Sequence, residues 1–207
     1  MAVAALAAFG PWSDYLSHIA STRLVTYLVT TGLVTSLSAL IAVIIGTALA
    51  WIISRYEFVG RSTLEWAVAL PLAIPAYAAA YAWYDLTQAA GPLGPVFPTL
   101  RGPIGVGFIL GITLYPYVYL LARQAFSGQS ADAFEAARTL GAKPASAFWR
   151  VALPMARPAI AAGLALVVME SLADYGAAAH LGAPTLSVGL IRAGQEKEPA
   201  QMRRVWQ

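Results

Sequence analysis

Four long apolar runs, each bounded by charged residues, set the pattern of this chain. The first, Leu24 to Ser54, carries no charge between Arg23 and Arg55. A bilayer core about 30 Å thick is crossed by about 20 apolar residues as a helix. This run exceeds one span and is expected to tilt or to begin outside the lipid. The second, Trp66 to Tyr84, lies between Glu65 and Asp85 and contains Pro71 and Pro75, which should bend it and free backbone carbonyls. The third, Gly102 to Ala122, lies between Arg101 and Arg123, with Pro116 near its end. The fourth starts near Pro158 and reaches about Ala179; it stands apart because Glu170 and Asp174 sit within it. The predicted fold is an all-α membrane protein, a polytopic helical bundle with about four transmembrane helices. Met1 to Phe9 is apolar but too short to span; with no basic residue ahead of it, it reads as part of a first helix as readily as a signal peptide.

Between the runs lie three connectors. Residues 88–103 are rich in proline and glycine and predict turns. Arg55 to Arg61 is a short charged turn, and Arg123 to Arg157 is a long polar loop. Four spans put these last two on one side, together with Arg55, Arg61, Arg123, Arg138, Lys143, Arg150 and Arg157. The other side holds Arg23 and Arg101 before the tail is counted. The positive-inside rule therefore predicts a cytoplasmic long loop and places both chain ends outside. The tail, with Arg192, Lys197, Arg203 and Arg204, works against that rule. In the third run, Gly107-x3-Gly111 suits a close helix contact, and Tyr115, Tyr117 and Tyr119 read as interfacial anchors.

Composition narrows the function. The 207 residues are 59% hydrophobic and 11% charged, against about 25% charged in ordinary soluble domains. Such a chain cannot cover a globular surface with polar groups, and the bilayer is its natural solvent. Cysteine is absent, which excludes disulfides and thiolate metal sites. No basic run with interleaved aromatics points to nucleic acid. The sequence holds no phosphate-binding G-x4-G-K-[ST] loop and no G-x-S-x-G or H-E-x-x-H set. It therefore reads as no enzyme, with no cofactor of its own, and any energy for work must come from a partner.

The long polar loop is the most helix-like part of the chain outside the apolar runs. Ser130 or Asp132 can cap a helix over Ala131 to Leu140, and Glu135 in its first turn suits the helix dipole. Gly141 fits a left-handed helix end. Pro144 suits the start of a second short helix running to about Arg150, which Leu153-Pro154 is expected to end. The small residues Ala131, Ala133, Ala136 and Ala137 let another surface approach, with Phe134, Phe148 and Trp149 as apolar anchors. A solvated connector is the plainer alternative.

The same stretch, EAARTLGAKPASAFWRVALP, resembles the EAA loop of binding-protein-dependent ABC transporter permeases. Glu135, Ala136, Ala137, Gly141, Val151, Leu153 and Pro154 fall at that loop's spacings, with Val151 in place of isoleucine. The resemblance implies a coupling loop seated in a cytoplasmic ABC ATPase, with Glu135 making polar contacts and Gly141 permitting the turn. Leu70 to Trp83, Tyr115 to Phe126 and Met169 to Gly182 are similar to ferric-iron permeases, most like the first half of fused two-repeat members. Permeases for polyamines, thiamine, sulfate and phosphonates share much of the pattern. What the resemblance implies is an inner-membrane permease subunit, importing ferric iron or another small solute. Its expected partners are an ATPase, a periplasmic substrate-binding protein, a second permease half and the lipid bilayer.

Glu170 and Asp174 are spaced i, i+4 and are expected to share one helix face. A carboxylate inside a span costs about 2.5–3.5 kcal/mol by insertion scales, so it faces protein or water. Counted from Pro158 at about 1.5 Å per residue, both lie past the midpoint toward the outer side. With Tyr175 they are read as lining of a translocation pathway; an interhelical hydrogen bond or an interfacial position near the outer headgroups is the alternative. Two carboxylates are too few oxygens to hold a hard cation alone, so no metal site is assigned. An intramembrane enzyme using the pair would lack a nucleophile. The chain divides into a partial N-terminal segment over 1–23 on the outer side, a permease domain over 24–192 with its EAA loop at 131–154, and a polar tail over 193–207. By the family pattern it reads as four of six expected spans, which leaves a shortened, non-transporting remnant as a further reading.

Overall fold

The computed structural model describes residues 24–128 and 144–192. The first apolar run folds as one uninterrupted helix, α1 (Leu24–Arg55). The third does the same as α4 (Gly102–Gly128), which carries Pro116 inside it without a break. Both are long and apolar enough to cross a membrane, and so is Phe148–Ala173. Between α1 and α4 lies a bent pair, which raises the number of candidate spans among the described residues from 3 to 4 if it counts as one.

That bent pair is where the expected second span differs. Instead of one helix over Trp66 to Tyr84, the chain forms α2 (Arg61–Ala67), a 3-10 turn (Leu70–Ala73) and α3 (Ala76–Thr87). The two arms meet at 95°. Pro71 sits at the start of the 3-10 turn. Ile74 is extended, at φ −95° and ψ 121°, as a residue before proline tends to be. Pro75 then precedes the first turn of α3, where a missing N–H costs nothing. Two prolines four residues apart thus make a corner rather than a kink.

The polar loop differs in the opposite sense. Leu153-Pro154 does not end a helix. The chain runs from α5 (Pro144–Ala147) through a π-helical turn, Phe148–Ala152, directly into α6 (Leu153–Ala173). Pro154 has no N–H for the carbonyl four residues back, that of Arg150. The turn widens there, and the Leu153 amide reaches the Phe148 carbonyl five residues away. A π-turn of this kind absorbs the mismatch without stopping the helix. The fourth span consequently starts about three turns earlier than Pro158, at Phe148, and ends sooner, at Ala173. A short helix, α7 (Gly176–His180), follows the break, and residues 186–192 are helical again.

Lipid gives helices no hydrophobic reason to associate, so they hold by close packing and polar contacts. The centre of the bundle is α4, the most enclosed of the long helices, with α1 and α6 against it. Gly107 faces Leu37, and Gly111 faces Ile41 so closely that a methyl there would lie 2.7 Å from the Ile41 Cβ. Further along, α4 is gripped from two sides. A Cβ on Gly46 of α1 would stand 2.8 Å from the Tyr115 carbonyl oxygen and the Val118 Cβ. One on Gly163 of α6 would stand 2.7 Å from the Val118 Cα. Helices α1 and α6 are themselves joined by the buried hydroxyls of Ser38 and Ser171, 2.8 Å apart.

The arginine-rich end of the bundle is closed by aromatics. The Trp51 ring lies 5.3 Å from that of Phe126 and 4.8 Å from that of Phe148. Phe148 is therefore turned into the bundle rather than offered to a partner, whereas Trp149 next to it is exposed.

Candidate functional site

The two broken helices meet at one place. A cavity of about 200 Å³ opens between the start of α3, the middle of α4 and the end of α6. It is lined by Ala76, Leu110, Leu114, Glu170, Ala173, Asp174 and Tyr175. All three residues assigned from the sequence to a pathway thus share one space. They do so by a different geometry from the one expected. Glu170 lies in the last turn of α6, but Asp174 has already left the helix, at φ −67° and ψ 123°. Its amide still donates to the Glu170 carbonyl at 3.0 Å, the last bond of the helix. Spacing of i, i+4 therefore does not place the two carboxylates on one helix face. The break brings them together instead, and it carries them opposite Leu110 and Leu114 in the body of α4.

Asp174 is held on both sides. Its Oδ2 accepts the Ala178 amide at 3.1 Å, capping α7, and its carbonyl accepts the Ser187 hydroxyl at 2.6 Å. Ser187 lies 2.9 Å from the Thr185 hydroxyl, and the Leu186 amide donates to Thr31 Oγ1 of α1 at 2.9 Å. The break is thereby tied to the first span. Helix α7 in turn sits tightly on α3: a Cβ on Gly176 would lie 2.6 Å from the Tyr77 Cβ. His180 at its end stacks on Tyr81 with centroids 3.7 Å apart and meets Tyr84 edge-on at 5.3 Å. The Arg101 guanidinium lies over the other ring of that pair, 5.1 Å from the Tyr84 centroid.

Glu170 has no such ties. Among the described residues its carboxylate takes no hydrogen bond or ion pair, and it is only partly covered. A charge in a span without a protein partner needs water or a ligand, and the cavity has room for several waters. Chemically the lining offers one fixed carboxylate, one uncommitted carboxylate, a tyrosine and apolar walls. No lining residue is basic. Among the described residues no group of three or more His, Cys, Asp or Glu side chains is placed to hold a metal ion.

Of the coupling residues, Val151 lies in the π-helical turn and Leu153 and Pro154 open α6, all three partly buried. Glu135, Ala136, Ala137 and Gly141 lie outside the described residues, as do the partial segment over 1–23 and the tail over 193–207. The sequence reading missed Ala76, Leu110 and Leu114 as lining. For Ala76 the signal was present: it directly follows Pro75, at the point where the second run breaks. Tyr115 and Tyr119 also do something the sequence did not suggest: both hydroxyls donate to backbone carbonyls of the bent pair.

Long apolar helices packed on an enclosed central one, with α6 and the bent pair both broken at a shared acidic cavity, define a multi-pass all-α membrane protein. Residues 42–202 match the family described as binding-protein-dependent transport system inner membrane component, and the chain belongs to that family. It is accordingly a multi-pass inner-membrane protein. An Fe(3+)-transport system permease protein of Haemophilus influenzae is 28% identical over 151 residues, covering 73% of this chain and 28% of that protein. A sulfate transport system permease protein of Salmonella typhimurium is 29% identical over 171 residues, covering 80% and 62%. A probable molybdenum ABC transporter permease protein of Haloferax volcanii is 33% identical over 144 residues, covering 69% and 53%. The chain thus spans between 28% and 62% of the length of these relatives.

Proposed function

We propose that the chain is a permease subunit of an ABC importer and that Glu170, Asp174 and Tyr175 line its solute path. One observation carries this reading: three residues from a helix break share a cavity with Ala76, the first residue after the other break. Irregular backbone at membrane depth is tolerated where it lines a cavity. Family membership supports the partners: a cytoplasmic ATPase seated on the stretch from Glu135 to Pro154, a periplasmic substrate-binding protein and a second permease half. ATP-driven movement of the ATPase would act on Val151, Leu153 and Pro154, and the continuous helix from Pro144 to Ala173 would carry it toward Glu170.

For the solute we propose ferric iron. Two carboxylates and no basic side chain favour a cation. Sulfate is the second reading, because relatives named for sulfate and molybdenum match as well as the one named for Fe(3+). An oxyanion would meet unfavourable charge at the two carboxylates of the lining. Uptake into vesicles carrying the partner subunits, with binding protein loaded with labelled ferric iron or with labelled sulfate, separates the two. Glu170→Gln should lower iron uptake by about tenfold or more, at least about 1.4 kcal/mol in the limiting barrier. Unchanged or faster uptake in Glu170→Gln, with sulfate as the solute carried, would overturn the cation reading.

A further inference from the structure

Corners in membrane helices leave carbonyls without donors, and in this chain those carbonyls can be identified. At the end of α2 the Ala69 amide turns to Trp66 at 3.0 Å, passing over Glu65. At the start of the 3-10 turn Pro71 has no N–H, and the Leu72 amide turns to Ala69 at 3.1 Å, passing over Val68. These two carbonyls are the ones that α4 serves. Tyr115 donates its hydroxyl to the Val68 carbonyl at 2.8 Å, and Tyr119 donates to the Glu65 carbonyl at 3.2 Å. One turn further along the same face, Arg123 pairs with the Glu65 carboxylate. The spacing i, i+4, i+8 sets three donors in a row on one side of α4.

Little else holds this arm. Neither α2 nor the 3-10 turn contains a buried residue; Val68 between them is the exception, at 6% exposed. Trp66 and Leu70 point outward. At one end the arm begins after Gly60, whose φ of 87° is a left-handed conformation that glycine adopts without strain. At the other it ends at the Pro75 corner, beside Ala76 in the cavity wall. Tyr115 directly follows the cavity residue Leu114, and Tyr119 and Arg123 continue toward the arginine-rich end. The arm therefore covers the face of α4 that carries these three donors, about 100° round the helix from Leu114, and it meets the cavity at the Pro75–Ala76 corner.

We infer that Tyr115, Tyr119 and Arg123 are positioning residues for the path: they latch the arm Arg61–Ala73 as its wall on the arginine-rich side. Undoing three polar contacts swings the arm away from α4 and opens the cavity toward that side. The inference rests on reading the cavity as part of a path, but its test needs no solute, so failure of one does not mean failure of the other.

The chain has no cysteine, so a single Ala76→Cys reports on the cavity wall without background from the chain itself, and label on this chain is read after separating it from its partner subunits. The test is the rate at which a membrane-impermeant maleimide labels that residue in inverted vesicles carrying the full chain and its partner subunits. Tyr115→Phe keeps the ring and removes one interhelical hydrogen bond, which should raise the rate about fivefold. Arg123→Glu and Glu65→Arg should each raise it by about tenfold, and the two together should return it to within about twofold of the parent, because the pair is restored with its sign reversed. Rates within about twofold of the parent in all three single variants would overturn the latch. A double reversal as open as the singles would overturn it too, even if the singles were open through misfolding.

Discussion

The core of α1, α4 and α6 and the arm of α2 with its 3-10 turn solve the same problem in opposite ways. Neither can rely on water to drive it together. The core removes side chains: Gly46, Gly107, Gly111 and Gly163 let backbones and β-carbons meet, and buried Ser38 and Ser171 add one polar contact. The arm keeps its large side chains on the outside, as exposed Trp66 and Leu70 show, and is joined to α4 by two tyrosine hydroxyls and an ion pair. Close packing has one good arrangement, because displaced glycines leave voids. A few polar contacts can be exchanged for water or for another partner at small net cost. The molecule thus joins a rigid part and a releasable part at a single cavity.

The sharpest way to break this comparison is to fill the rigid part. Gly163→Val puts a β-branched side chain where even a methyl would lie 2.7 Å from the Val118 Cα, against backbone that cannot swing aside. We expect a loss of about 3 kcal/mol, read as a lower midpoint in thermal unfolding of the detergent-solubilised protein. Gly32→Ala, at a position with nothing within 4 Å, should leave the midpoint in place. If the two variants behave alike, the core does not depend on close approach.

A smaller effect is expected at the buried Ser38–Ser171 contact of the core. Ser38→Ala and Ser171→Ala, singly and together, form a double-mutant cycle across α1 and α6. Their coupling should be about 0.6 kcal/mol and at most about 1.7 kcal/mol, the range for hydrogen bonds between membrane helices. A coupling near zero would mean that packing alone holds the core, sharpening its contrast with the arm.

How much of this was legible in the sequence follows the same division. The uncharged run from Leu24, the run from Gly102 and the Gly107-x3-Gly111 spacing all carried over, because apolar length and small residues act locally. Pro71 and Pro75 announced that the second run would bend and free carbonyls. They did not announce a 95° corner, or that donors 47 and 54 residues away would fill the gaps. Those partners depend on how α2 and α4 lie side by side, which no local pattern encodes. Counting i, i+4 from Glu170 to Asp174 assumed a continuous helix, and the helix stops at Ala173. Reading Pro154 as a stop made the reverse error, because a π-turn supplied a donor from one residue further on.

At the arginine-rich end the comparison yields its smallest stability effect and its most selective functional one. Phe148 and Trp149 are neighbours in the π-helical turn, and only Phe148 reaches Trp51 and Phe126. Trp149 is 66% exposed, beside exposed Arg150. The proposed ATPase contact runs through this turn, so Trp149 belongs to the surface that moves with a partner rather than to the core. Trp149→Ala should change stability by about 0.5 kcal/mol, the low end for an aromatic pair, because its exposed ring meets Phe148 edge-on at 5.2 Å. It should nevertheless weaken co-purification with the ATPase subunit from detergent-solubilised membranes. Unfolding and pull-down measured on one preparation distinguish the cases. A destabilised variant would place Trp149 in the bundle. A stable variant that still recovers the ATPase in full would place the docking contact on the stretch from Glu135 to Gly141 alone, leaving the π-turn to transmit motion without touching the partner.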